Sequence, residues 1–212
     1  MDNNLKQSII LKLEATAKAL NKNNMDACVV MSKEELAEKI RNLIGKDETV
    51  FSGGSMTLKE TGVIDMLMNE GYDYYWRGRE DENGNLLDVM RMAFNGDWYL
   101  MSSNAITLDG KLYNVDGNAN RVAALSFGPK NVIVVAGYNK VVADIEEAVN
   151  RVKYVAGPAN CVRLDKNTGC KTTGKCADCA SPDRICCTYT VHSRQREAGR
   201  IKVFLIPEEL GY

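Results

Sequence analysis

The feature of the sequence that most constrains its fold is the alternation of short apolar runs with segments of helical period. The runs MDACVVM (25–31), NVIVVAG (131–137) and RIKVFLIPE (200–208) are rich in β-branched or other apolar residues, as buried strands are. The segments between such runs place apolar residues three or four positions apart, which is typical of helices. Strands that alternate with helices indicate an α/β fold, with helices flanking a mostly parallel sheet.

Local signals give approximate bounds for the elements of this fold. Ser32 followed by Glu35 forms a capping box, which predicts a helix start. The helices that follow are predicted to end at glycines, namely Gly71, Gly96 and Gly157. Repeats and low-complexity tracts are absent from the sequence, so we predict a single domain over residues 1–212.

The composition excludes several classes of partner. Lys plus Arg number 27 and Asp plus Glu number 28, a net charge of −1, which does not favour a nucleic acid or an anionic membrane. The N-terminal segment lacks the order of a secretory signal, and no apolar run reaches the ~20 residues of a membrane helix. We therefore expect a cytoplasmic protein whose thiols stay reduced.

A glycine-rich turn joins a predicted strand to a helix in VFSGGSMTLKE (50–60). Glycines at the end of a strand allow a tight turn and a close approach of a ligand, and a following helix offers free N–H groups to an anion. The simpler interpretation is an ordinary strand–helix turn in which Ser55 caps the helix. The turn matches neither the phosphate-binding Walker sequence nor the dinucleotide motif.

A second polar region, SSNAITLDGKLYNVDGNANRV (102–122), contains a predicted hairpin with its turn at Asp109–Gly110. Asp116 or Asn118 can cap the next helix, but several amides and Arg121 remain, and buried groups of this kind need partners. Converging polar groups commonly hold a carboxylate or a phosphate. The predicted ligand-binding residues of the two regions are Gly53, Gly54, Ser55, Met56, Thr57, Glu60, Asn104, Asn114, Asp116, Asn120 and Arg121.

Three stretches carry a resemblance to a known family: FSGGSMTLKETG, SSNAITLDGKLYNVDGNANRVAALSFGPKNVIVVAGYNKVV and RIKVFLIPEELGY. They resemble the LUD-domain family, the lactate-utilisation proteins of the LutC and YkgG type, from about residue 5 to the C-terminus. The resemblance implies the fold shared by NagB, ribose-phosphate isomerase and CoA transferases, with the glycine turn at the ligand site. It also implies a cytoplasmic role in oxidising L-lactate to pyruvate beside iron–sulfur partner proteins. Residues 165–187 are then a Cys-rich insertion or lid within a LUD-like domain.

That insertion, TGCKTTGKCADCASPDRICC (168–187), holds five of the seven cysteines. Four of them have the spacing C-x5-C-x2-C-x6-C and are predicted metal ligands: Cys170, Cys176, Cys179 and Cys186. The spacing fits neither a classical zinc site nor a ferredoxin, so zinc and an iron–sulfur cluster both stay open, with His192 as a substitute ligand. A redox pair of Cys176 with Cys179, or buried thiols without chemistry, are the alternatives.

Two functions follow as expectations. The first is a subunit or accessory in L-lactate oxidation that binds a small anionic metabolite at the Gly53–Thr57 turn. The alternative is a metal-binding module for electron transfer or protein interaction that uses the Cys-rich segment. Since the sequence shows no flavin, nicotinamide or haem motif, it does not predict an enzyme that oxidises lactate alone.

Overall fold

A computed structural model describes residues 2–212; Met1, the first residue of the predicted domain, lies outside the described residues. The strands are β1 (Asp26–Val29), β2 (Thr49–Ser52), β3 (Asp73–Tyr75), β4 (Trp98–Met101), β5 (Ala105–Thr107), β6 (Leu112–Asp116), β7 (Asn131–Gly137), β8 (Val141–Val142), β9 (Thr188–His192) and β10 (Ile201–Ile206). The α-helices are α1 (Asn3–Lys22), α2 (Lys33–Leu43), α3 (Met56–Glu60), α4 (Val63–Asn69), α5 (Val89–Met92), α6 (Asn120–Phe127), α7 (Ile145–Arg151), α8 (Gly157–Arg163) and α9 (Gly169–Thr173).

The main sheet has six strands in the order β1-β10-β7-β4-β2-β3, and every neighbouring pair is parallel. Its central strand β7 is buried on both faces, which explains the unbroken apolar run of its sequence. Val132 and Val134 pack with α1 and α6 on one face, while Ile133 and Val135 pack with α2 and α4 on the other. The predicted α/β fold with a mostly parallel sheet flanked by helices is confirmed.

A smaller sheet lies beside the carboxyl ends of the main strands, in the order β8-β5-β6-β9. The predicted hairpin is its centre, since β5 pairs antiparallel with β6 and Gly110 takes a positive φ in the turn. Strand β9 pairs antiparallel with β6, and β8 pairs parallel with β5. Helix α7 covers one face through Ala148, which packs on Ala105 and Tyr113.

Three elements differ from the sequence-based expectation. The helix predicted to run to Gly71 breaks into α3 and α4 at Gly62, which adopts a left-handed conformation with φ 75°. The helix predicted to end at Gly157 continues through a π-helical turn (152–156) into α8, because a Cβ at Gly157 would lie only 2.8 Å from the Val152 carbonyl and glycine relieves that contact. Strand β9 was not predicted.

Among residues 2–212, no helix is both long and apolar enough to cross a bilayer.

Candidate functional site

A cavity of about 610 Å³ opens at the carboxyl ends of β2 and β4, between the main sheet and the smaller sheet. Ligands in open α/β sheets bind at this edge. A larger cavity of about 970 Å³ lies at the opposite, amino-terminal edge, beside Asp97, Asn131 and Arg200. The larger one contains none of the predicted site residues, so we take the 610 Å³ cavity as the candidate site.

The glycine turn forms the inner wall of this cavity. Gly53 cannot carry a side chain, since a Cβ there would lie 2.9 Å from the Tyr99 hydroxyl and 3.2 Å from Arg121 Cδ. A Cβ at Gly54 would meet nothing within 4 Å, so the backbone there faces open space. Ser55 caps α3, as its Oγ accepts a hydrogen bond from Leu58 N at 3.2 Å. In residues 2–212 the N–H groups of Gly54 and Ser55 have no hydrogen-bond acceptor.

Arg121 is the centre of the polar hairpin cluster, at the start of α6. Its guanidinium donates to carboxylate, amide and carbonyl oxygens; the acceptors are Asp116 Oδ1 (2.9 Å), Asn114 Oδ1 (2.5 Å), Asn104 Oδ1 (2.8 Å), Ser102 O (3.1 Å) and Val115 O (3.0 Å). The carboxylate of Asp116 also accepts from Val122 N, in the first turn of α6, at 2.9 Å, although the N-cap residue of α6 is Ala119 rather than Asp116 or Asn118. The side chains of Arg121 and Asp116 are only 13% and 8% exposed. The cluster therefore supplies acceptors for the whole guanidinium of Arg121 and ties the hairpin to the main sheet.

The structure gathers most of the predicted ligand-binding residues around the cavity. Those that line it are Gly53, Gly54, Ser55, Met56, Asn104, Asp116, Asn120 and Arg121. Asn114 is fully buried behind Arg121, and its Nδ2 has no partner among the described atoms. Ligand binding by these residues stays a prediction.

Thr57 and Glu60 lie elsewhere, beneath the C-terminal segment. Thr57 Oγ1 donates to Leu210 O at 3.2 Å, and Glu60 Oε2 accepts from Gly211 N at 2.6 Å. Gly211 has φ +55° and passes so close to Thr57 that a Cβ would lie 2.8 Å from its Oγ1. Both side chains therefore hold the segment that brings Tyr212 to the cavity.

Lys140 lines the cavity and was missed by the sequence analysis. It sits in the 3-10 turn (138–140) that follows β7, is 3% exposed, and donates from Nζ to Tyr212 O at 3.1 Å. Burial lowers the pKa of Lys140 to about 7, helped by the positive charges of Arg151 and Arg121 and opposed by Glu60. The sequence signal that could have identified Lys140 as a site residue was its position, directly after the most apolar strand and at the carboxyl edge of the sheet.

The outer wall comes from α8 and from residues 182–185 of the Cys-rich segment. The charged side chains of the whole lining are six basic (Arg77, Arg121, Lys140, Arg163, Lys166 and Arg184) and two acidic (Asp116 and Asp183). Arg77 and Arg163 are exposed, and within residues 2–212 neither lies within 4 Å of a carboxylate. The cavity is therefore electropositive, although the chain as a whole is nearly neutral.

The Cys-rich segment reaches the cavity through Lys166 and residues 182–185 rather than through its cysteines. Ile185 lies against Gly117, where a Cβ would be 3.3 Å from Ile185 Cα. All seven cysteines are free. Burial raises the pKa of Cys161 to about 11, and the thiols of Cys170 and Cys186 are its neighbours.

The four predicted metal ligands, Cys170, Cys176, Cys179 and Cys186, are half-buried. In the described part of the chain no three His, Cys, Asp or Glu side chains are placed to hold a metal ion. His192, the predicted substitute ligand, instead shares a 2.9 Å hydrogen bond with Ser126 Oγ on α6. The metal-binding role of the cysteines stays a prediction.

The parallel sheet and the cavity at its carboxyl edge place the protein in the α/β class. Comparison with known families agrees and is more specific, since the LUD domain matches residues 13–206. The chain belongs to the LUD-domain family, which is linked to lactate utilisation.

One solved structure supports the same fold. A crystal structure of a DUF162 family protein from Deinococcus radiodurans is similar with a TM-score of 0.51 and 16% identity, over 95% of this chain and 98% of that one. The eIF2B delta subunit from Chaetomium thermophilum has a TM-score of 0.32 and 19% identity, over 65% of this chain and 50% of that one. No curated protein matches the chain significantly. At these identities the likeness to the Deinococcus protein concerns the fold alone.

Proposed function

We propose that the protein acts in lactate utilisation, as a subunit or accessory in the oxidation of L-lactate to pyruvate, and binds a small anionic metabolite in the 610 Å³ cavity. The observation that carries this proposal is the charge of the lining, six basic against two acidic side chains in a nearly neutral chain. Family membership supplies the link to lactate. Both lactate and pyruvate are carboxylates, so an electropositive cavity suits either.

Two exposed basic side chains of the lining are available to meet an anion, Arg77 after β3 and Arg163 on α8. Arg121 donates to five acceptors within the protein, whereas neither Arg77 nor Arg163 has a carboxylate within 4 Å in residues 2–212. Within those residues Arg163 donates only to Asn160 Oδ1. The unbonded N–H groups of Gly54 and Ser55 belong to residues that line the same cavity. We assign the anion to the cavity that these groups line, with Arg121 holding the hairpin in place.

Oxidation of lactate to pyruvate removes two electrons. We propose that iron–sulfur partner proteins accept these electrons and that this chain binds the metabolite. The protein should therefore bind lactate or pyruvate in the absence of its partners.

Isothermal titration with L-lactate, pyruvate and inorganic phosphate tests the proposal. The double variant Arg77→Gln/Arg163→Gln should bind the preferred anion at least tenfold more weakly, since a charge-assisted hydrogen bond contributes about 1.5–3 kcal/mol. The matched control is Arg41→Gln, an exposed arginine outside the cavity that pairs with Glu70. Failure of all three anions to bind, or equal affinity in the double variant and wild type, would refute the proposal.

A further inference from the structure

Lys140 is the one cavity residue whose environment does not suit a permanent charge. Its side chain is 3% exposed, and its single hydrogen bond goes to the main-chain oxygen of Tyr212. Within the described chain, 2–212, no Asp or Glu carboxylate lies within 4 Å of its Nζ. An ammonium can donate three hydrogen bonds, and residues 2–212 supply one acceptor, the main-chain oxygen of Tyr212.

The groups around Lys140 act together on its protonation. Arg151 from α7 and Arg121 from α6 both disfavour a further positive charge, and Glu60 from α3 is the one acidic group that acts in the opposite sense. Arg151 is itself fixed by donation to Asn139 O at 2.8 Å and Asn104 O at 2.6 Å. Lysines that are buried or placed beside other cations become neutral amines near pH 7, and a neutral amine is a nucleophile.

The other side chains of the lining indicate which class of ligand the Lys140 amine would react with. Basic side chains attract a carboxylate, and Lys140 lines the same cavity. A ligand that contacts the basic side chains and also reacts with the amine must have a carboxylate and a carbonyl carbon close together, which is the chemistry of a 2-oxo acid. Pyruvate is the smallest common member of that class and the product of the proposed reaction.

We propose that Lys140 is a nucleophilic residue that forms an imine with a 2-oxo acid bound in this cavity. The inference rests on the proposed function and names the residue and substrate class of that same site. The neutral Nζ attacks the carbonyl carbon to form a C–N bond. Loss of the carbonyl oxygen as water, with both amine protons, then gives the imine, and no oxidant or reductant is needed.

Reductive trapping tests this assignment. The full chain is incubated at pH 7 with pyruvate and sodium cyanoborohydride, which reduces an imine to a stable secondary amine, and modified lysines are located by peptide mass spectrometry. Lys140 should be modified at least tenfold faster than the exposed Lys18 and Lys153, because few exposed lysines are neutral at this pH. Inorganic phosphate should slow the reaction, and acetone, which lacks the carboxylate, should modify Lys140 much more slowly than pyruvate.

Two variants distinguish the loss of the reactive lysine from an effect of the substitution on the fold. Lys140→Met should lose one rapidly modified site. Lys202→Met should not, although Lys202 is also a partly buried lysine whose Nζ donates to a main-chain oxygen, Gly199 O at 2.7 Å. If Lys140 in the wild type reacts no faster than Lys18, the imine is refuted. Retained binding of L-lactate, pyruvate or phosphate by calorimetry would then leave the proposed function standing, whereas failure of all three to bind, together with slow trapping, would overturn both.

Discussion

Arg121 and Lys140 are two basic residues that line the same cavity with little exposure, and their surroundings are opposite. The Arg121 guanidinium donates to five different acceptors, one of which is the carboxylate of Asp116. The Lys140 ammonium donates to one carbonyl oxygen and has Arg151 and Arg121 as charged neighbours. Removing a cation from water costs several kcal/mol unless partners replace the water.

This difference separates a structural cation from a chemically available one. Arg121 recovers its desolvation cost through its partners, so it can stay charged and hold the hairpin in place. Lys140 does not recover this desolvation cost, so its pKa is lowered and the side chain can exist as a neutral amine. A basic residue in a cavity is therefore no guide to ligand binding until its partners have been counted.

The strongest test of the comparison is the removal of Arg121. Arg121→Met should lower the free energy of unfolding by about 3–5 kcal/mol, because the buried carboxylate of Asp116 and the oxygens of Asn104 and Asn114 would lose their donor. Urea unfolding followed by circular dichroism measures this loss. The matched control, Arg163→Met, replaces an exposed arginine of the same cavity and should change stability by less than about 0.5 kcal/mol. Similar losses in the two variants would contradict a structural role for Arg121.

The second test uses the pH dependence of stability at Lys140. Its pKa is about 7 in the folded chain against an ordinary value of 10.5 for lysine, so between these values the unfolded chain holds one more proton than the folded chain. The wild type should therefore gain stability as pH rises through this window, and the cost of charging the buried amine is fully present below pH 7. Lys140→Met lacks this contribution.

The measurement compares urea unfolding of wild type and Lys140→Met from pH 6 to pH 9. The wild type should gain roughly 2 kcal/mol relative to the variant between pH 7 and pH 9. Lys18→Met, at an exposed position on α1, should show no such dependence. A difference between wild type and Lys140→Met that stays constant with pH would show that Lys140 keeps its ordinary pKa.

The fold was more predictable than the site because its signals are local. The apolar run of β7, the hairpin turn at Gly110 and the tight turn at Gly53 are written in consecutive residues. The burial of Lys140 instead results from the C-terminal segment, whose Tyr212 meets it across 72 residues of sequence. Because lysine is almost always exposed, the sequence alone predicts a surface position for Lys140.

Strand β9 shows the same limit in the fold. Its residues Thr188–His192 alternate half-buried and exposed side chains and carry little apolar character. Its partner β6 lies more than 70 residues earlier and supplies the hydrogen bonds that make it a strand, as in the pair Tyr113↔Val191. Tertiary pairing decides such segments, whereas local propensity decides strands such as β7.

The smallest expected effect concerns how the single acceptor of Lys140 is held. Thr57→Val removes the hydroxyl that donates to Leu210 O, at nearly constant volume, and should cost about 1 kcal/mol of unfolding free energy. Thr57→Ser keeps the hydroxyl and serves as the matched control. Hydrogen exchange should quicken in Thr57→Val at the amide of Gly211, which donates to Glu60. Because that segment presents Tyr212 O to Lys140, looser packing of the segment should also speed imine trapping. Unchanged hydrogen exchange in Thr57→Val would show that Glu60 and Asn139 hold the segment without Thr57.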